Sequence, residues 1–252
     1  MAKDSGLYVR AGMLVRVVRD NARKVRGLSR DAGAPIIEPA PLAWLRDRLG
    51  RAALWWERKG QRKRRALVPE WVAKNIAARG ESPFPPLEGV VEAPTLRRDG
   101  SILDQPGYDE RSALLYEPSV RFPAVPETPT PEEVSAAKDR LLDLLADFPF
   151  VADSDRSAAM AMILTASARS AIDGPCPLFA IRATAPGSGK TLLADVASII
   201  STGRGAARMV AGKEEDETKK MLLALGLEGA SIVLLDNIEG SFGSAAFANA
   251  LT

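Results

Sequence analysis

The spacing of apolar positions changes several times along the chain. Leu7 to Val18, LYVRAGMLVRVV, reads as two short strands that turn at Ala11-Gly12. Residues 41–58, PLAWLRDRLGRAALWWER, place Leu42, Leu45, Leu49, Ala52 and Trp56 three or four apart, which predicts an amphipathic helix. The run KGQRKRR follows from Lys59 to Arg65. A second helix, about 69–79, opens with Pro69 in its first turn and stops at Gly80.

Periodicity then fades into a Pro- and Gly-rich stretch, 81–131. Asp99-Gly100 and the surroundings of Gly107 read as turns between short strands. Residues 120–133 carry Pro123, Pro126, Pro129 and Pro131 and read as an extended linker. Beyond it the pattern becomes α/β. Helices are expected over 131–147, capped by Thr130, and over 154–170, followed by a strand from Leu178 to Ala183. A helix over 190–201 and a buried strand over 231–236, SIVLLD, complete the pattern. The division is a basic α+β region (1–119), a linker (120–133) and an α/β domain (134–252) whose parallel sheet is flanked by helices.

Composition narrows the chemistry. The 252 residues hold no histidine and one cysteine. That excludes His-based triads, His/Cys zinc sites, haem ligation by His and any internal disulfide. Cys176, between Pro175 and Pro177, reads as an inert thiol. No stretch of 18 apolar residues predicts a membrane span, and the N-terminus lacks the apolar core of a signal peptide. A soluble, cytoplasmic protein is expected. The net charge of +2 conceals an asymmetry: residues 1–65 hold 17 basic against 6 acidic side chains, a net of +11. Such a segment faces a polyanion or an acidic protein surface.

The most specific signal is TAPGSGKT, residues 184–191. It matches the phosphate-loop pattern G-x-x-x-x-G-K-[ST] at Gly189, Lys190 and Thr191, with Thr184 in place of the first glycine. Glycines there let backbone N–H groups point at phosphate oxygens without a Cβ in the way. Residues Ala185, Pro186, Gly187, Ser188, Gly189, Lys190, Thr191 and Leu192 are the candidate ATP-binding set. Lys190 would reach the β- and γ-phosphates, and Thr191 would offer its hydroxyl to Mg²⁺. Asp236 ends the later strand, 46 positions after Lys190, where a parallel neighbour would deliver it to the same Mg²⁺. Asn237 follows, with Glu239 two residues further on as the candidate to orient water. A solvated turn acid is the alternative for Glu239. Asp153 and Asp155 have the spacing of a polymerase metal pair, but their place before a helix favours capping.

TAPGSGKT together with SIVLLDNIEG resembles the P-loop ATPase core of the AAA+ and superfamily-3-like helicase groups. The stretches VPEWVAKNIAARG, FPPLEGVVEAPTLRRDGSILDQPGYD and LYEPSVRFP extend the likeness to phage- and plasmid-type primase–helicase proteins, over about residues 7–252. The resemblance implies ATP and Mg²⁺ as cofactors, single- or double-stranded DNA as partner, and a homo-oligomeric ring in the full-length protein. It gives phosphate binding to Gly187, Gly189 and Lys190, and Mg²⁺ to Thr191 and Asp236. Two departures stand out. Asn237 occupies the place of the usual Glu, and the chain stops 16 residues past Asp236, which reads as a C-terminal truncation.

For the basic run, Lys59, Arg62, Lys63, Arg64 and Arg65 are candidate DNA contacts, with a solvated helix end as the alternative. Trp55, Trp56 and Trp71 read as a small core rather than as bases' stacking partners. Two other function classes remain open: a P-loop kinase, and a non-catalytic DNA-binding protein switched by nucleotide. No clear lid follows the loop around Arg204 and Arg208, which counts against the kinase.

Overall fold

The computed structural model describes residues 6–19, 28–79, 83–185, 187–210, 214–238, 242–243 and 245–251. Strands β1 (Tyr8–Arg10) and β2 (Met13–Arg19) form the expected hairpin. Ala11 (φ 47°) and Gly12 (φ 74°) are both left-handed, as a two-residue turn matching strand twist requires. Strand β3 (Pro35–Pro39) adds antiparallel to β2, with Val17 opposite Ile37. Strand alternation then sorts this sheet into two faces. Leu7 and Leu14 pack against helix α1 (Leu42–Ala52) through Leu45. Tyr8, Val15 and Ile37 point the other way, onto Leu87, Val90 and Leu115.

The helix expected over 41–58 ends six residues early. Ala53 is extended, and residues after it form a separate hairpin, β4 (Trp56–Lys59) with β5 (Arg62–Arg65). The reason is local. The Leu49 carbonyl, orphaned at the helix end, accepts the Ala53 N–H at 3.2 Å and the Trp55 indole N–H at 3.0 Å. Gly60, at φ 62°, then reverses the chain. Helix α2 (Glu70–Ala77) follows with Pro69 just outside it, and Ala73 completes the α1 core.

The Pro- and Gly-rich stretch makes small sheets. Strand β6 (Gly89–Val91) precedes a hairpin of β7 (Thr95–Leu96) and β8 (Ile102–Leu103), turned by Asp99-Gly100 as expected. Gly107 opens strand β9 (Gly107–Asp109) rather than a turn. Strand β10 (Leu114–Tyr116) lies between β6, parallel, and β9, antiparallel.

Helix α3 (Pro131–Leu144) starts on a capping box: Thr130 Oγ1 accepts the Glu133 N–H and Glu133 accepts the Thr130 N–H. Helix α4 (Asp153–Ala168) follows, and Asp155 accepts the Ala152 N–H at 3.1 Å, the capping role expected of that pair. Helix α5 (Lys190–Thr202) packs on α4 around Leu145, Ala159, Ile163, Leu193 and Ala197. Strand β11 (Ala207–Val210), helix α6 (Glu215–Glu228) and strand β12 (Val233–Asp236) form a parallel βαβ unit, with Met209 opposite Leu235. Helix α7 (Ala245–Leu251) ends the described chain.

The class is therefore mixed α/β, with several small sheets. The strand expected over Leu178–Ala183 forms no ladder, so a larger parallel sheet of the P-loop type is not assembled among the described residues. Pro175 and Pro177 deny its approach two ladder N–H groups. A cavity of about 630 Å³, reaching from Phe179 and Ile181 to Val233 and Leu234, lies between this segment and β12. On the other side of β11, Ser29 and Arg208 exchange two backbone hydrogen bonds of 2.9 Å, so the N-terminal region extends this sheet. Among the described residues no helix is long and apolar enough to cross a membrane.

Candidate nucleotide-binding site

The loop before α5 is built on left-handed glycines. Gly187 (φ 75°) and Gly189 (φ 82°) adopt a conformation that side chains with a Cβ disfavour. A Cβ at Gly187 would meet nothing within 4 Å, so this point of the loop is open. A Cβ at Gly189 would lie 3.5 Å from Phe148 Cε1. The Phe148 ring thus supports the loop from below and belongs to the α4–α5 core. Between the two glycines, Ser188 Oγ is buried and has no hydrogen-bond partner among the described residues. A buried polar atom without a partner is costly, and is the kind of atom a bound polar group satisfies.

Lys190 begins α5, so the loop runs directly into the helix N-terminus, where N–H groups and the helix dipole favour an anion. Lys190 and Thr191 are half-buried, and Leu192 is exposed. Among the described residues no carboxylate forms an ion pair with Lys190. Ala185 is exposed, and Pro186 lies outside the described residues.

Asp236 ends β12, as expected, and is half-buried. Its Oδ1 accepts the Asn237 N–H at 2.9 Å, and Asn237 turns the chain at φ 55°. One carboxylate oxygen is engaged by the turn, and among the described residues the other accepts no hydrogen bond. Among the described residues no group of three or more His, Cys, Asp or Glu side chains gathers to hold a metal. Thr191 follows Lys190 in the first turn of α5, and Asp236 closes β12. Glu239 lies outside the described residues.

The far end of α5 carries a feature that spacing did not reveal. Arg204 donates to Glu92 through Nε at 2.6 Å and Nη2 at 3.0 Å. Glu92 is 5% exposed and also accepts from Arg19 at 2.6 Å. The Glu92 hydrogen bonds hold the Arg204 guanidinium above its ordinary pKa.

The basic run is placed differently from expectation. Lys59, Arg62, Lys63, Arg64 and Arg65 occupy the exposed β4–β5 hairpin rather than a helix end. Arg64 is paired with Glu57. The small tryptophan core is not formed: Trp56 is 60% and Trp71 64% exposed, while Trp55 is half-buried. Two residues missed by sequence reasoning had a visible signal. Phe148 stands in the F-P-F step between helices, and Arg58 sits across the K-G-Q-R turn.

The chain matches no protein-family profile, no curated protein and no solved structure.

Proposed function

We propose that this chain binds ATP with Mg²⁺ at residues 184–191, as the motor portion of a primase–helicase-type DNA replication protein. In this reading the hydrolysis of ATP drives unwinding of DNA or translocation along it, and the full-length protein works as a ring. The observation that carries the reading is the pair of left-handed glycines around Ser188, whose buried Oγ has no partner among the described residues, running directly into α5. Backbone N–H groups of the loop and Lys190 would hold the phosphates. Thr191 and Asp236 would hold Mg²⁺, which when bound neutralises the charge on the phosphoryl oxygens.

The test is binding of a fluorescent ATP analogue. Lys190→Ala should weaken it about tenfold to a hundredfold, the loss expected for a hydrogen bond to a charged group. Equal affinity in variant and wild type would remove the reading. Thr191→Ala should instead lower the Mg²⁺-dependent part of binding.

One observation favours a second reading, a nucleotide-switched protein with little turnover. Asn237 cannot take a proton from water, and its left-handed backbone is tied to Asp236. Stoichiometric ATP binding without DNA-stimulated hydrolysis would select this reading over the motor.

A further inference from the structure

The β4–β5 hairpin is a two-sided object, and its two sides differ. Register pairs Trp56 with Arg65, Glu57 with Arg64, Arg58 with Lys63 and Lys59 with Arg62. Side chains alternate across a strand, and directly opposed residues share a face. One face therefore presents Trp56, Arg58, Lys63 and Arg65. The other presents Glu57, Lys59, Arg62 and Arg64, with Glu57 and Arg64 neutralising each other. All eight residues are exposed.

On the first face nothing balances the charge. Among the described residues, Arg58, Lys63 and Arg65 have no ion-pair partner. An indole more than half exposed stands beside them. Helices α1 and α2 form a core directly before and after the hairpin. The Trp56 indole lies outside that core. Cations and an open aromatic ring on one side of a ribbon match a ligand that has both phosphates and accessible base faces. Bases in a duplex hide those faces in the stack. An anionic lipid surface would answer the cations and also accept an indole among its headgroups, so vesicles are the competing arm of the test below.

We infer that the Trp56–Arg58–Lys63–Arg65 face of the hairpin is a binding surface for single-stranded nucleic acid, with Trp56 stacking on a base and the three cations contacting phosphates. The opposite face, where Glu57 offsets Arg64, carries Lys59 and Arg62 with no aromatic ring between them. This assignment is narrower than the basic run as a whole. It adds Trp56 and Arg58, and it sets aside Lys59, Arg62 and Arg64.

The test is fluorescence anisotropy of a labelled oligothymidylate with the full chain, without ATP. Failure here leaves the phosphate-loop reading untouched. The Arg58→Ala/Lys63→Ala/Arg65→Ala variant should bind at least about tenfold more weakly. Its log–log salt slope should flatten by about 2, since each single-strand phosphate contact contributes about 0.7. Trp56→Ala should cost about tenfold and Trp56→Phe should recover most of that. The Lys59→Ala/Arg62→Ala variant should stay within about threefold of wild type, which general charge effects on encounter allow. Equal losses from the two faces would overturn the proposal, as would no binding of the oligothymidylate by wild type. So would tighter binding to duplex, or to phosphatidylserine vesicles, than to the single strand.

Discussion

Gly229 ends α6 at φ 69°, and the space a side chain would take belongs to Ile37 of β3. A Cβ there would approach Ile37 Cδ1 to 2.6 Å, and Ile37 is 2% exposed. Gly203 ends α5 at φ 79° with nothing within 4 Å. The two positions separate backbone strain from packing. Gly203→Ala should cost about 1 kcal/mol, the left-handed penalty alone. Gly229→Ala should cost about 1–2 kcal/mol more, because Ile37 must move within a filled core. Urea unfolding of both variants checks this, and equal losses would mean that Ile37 does not press on α6. Asp109 provides a pH-dependent counterpart. Arg97 Nη2 and Nε donate to its two oxygens at 3.0 Å, and Ser112 adds further hydrogen bonds. Arg97 first, then Ser112, holds the carboxyl down at about 2, against an ordinary 3.8. A lowered folded-state pKa stabilises the charged form. That stability is therefore complete above the ordinary value and is lost as pH falls through about 2. Its size is about 2 kcal/mol. In Arg97→Ala the Asp109 titration followed by carboxyl NMR should move up toward 3.8, and an unmoved titration would assign the shift to Ser112 alone.

At the scale of elements, what was legible divides by how local its cause is. The β1–β2 hairpin, the capping box at Thr130 and the α5 start at Lys190 each depend on residues within four positions, and each stands where the pattern put it. The phosphate-loop candidates fall together for the same reason, because loop and helix are contiguous. Asp236 could be placed at a strand end from SIVLLD alone. The misreadings come from tertiary context. Trp56 continues the 3–4 spacing of Leu45 and Leu49, but no surface covers it, so the period carries no burial there. The helix yields to a hairpin turned at Gly60. LFAIRA has the composition of a central strand, yet a strand needs a partner, and its approach runs through two prolines. The Phe148 ring under Gly189 joins positions about forty residues apart, and no single-chain periodicity encodes such a contact.

At the scale of the molecule, the Pro-rich stretch separates two halves in sequence that ion pairs rejoin in space. Glu92 ties Arg19 of β2 to Arg204 beyond α5, and Arg30 pairs with Glu228 of α6 at 2.8 Å. Gly205 donates to Asp31, and Arg10 donates to the Gly226 carbonyl. Glu92 is the centre of this set, because its carboxylate is buried and holds two guanidinium groups. Glu92→Ala should therefore cost about 2 kcal/mol, less than a fully buried pair, since Arg19 remains partly in water. The loss should fall on the junction rather than on either half. All four tryptophans, Trp44, Trp55, Trp56 and Trp71, lie before the Pro-rich stretch, so their fluorescence reports the first half. Five of the seven helices among the described residues lie after it, so far-UV circular dichroism weights the second. In wild type the two signals should lose structure at the same urea concentration. In Glu92→Ala the tryptophan transition should move to lower urea and separate from the helical one. Coincident transitions at an unchanged midpoint would show that Glu92 does not hold the halves together. Helix α5 runs from the glycine loop at Gly189 to the residues just before Arg204, so ATP bound there as proposed would stabilise the half that Glu92 grips. Adding ATP should then move the helical transition of Glu92→Ala up while leaving its tryptophan transition in place, whereas in wild type both should rise together.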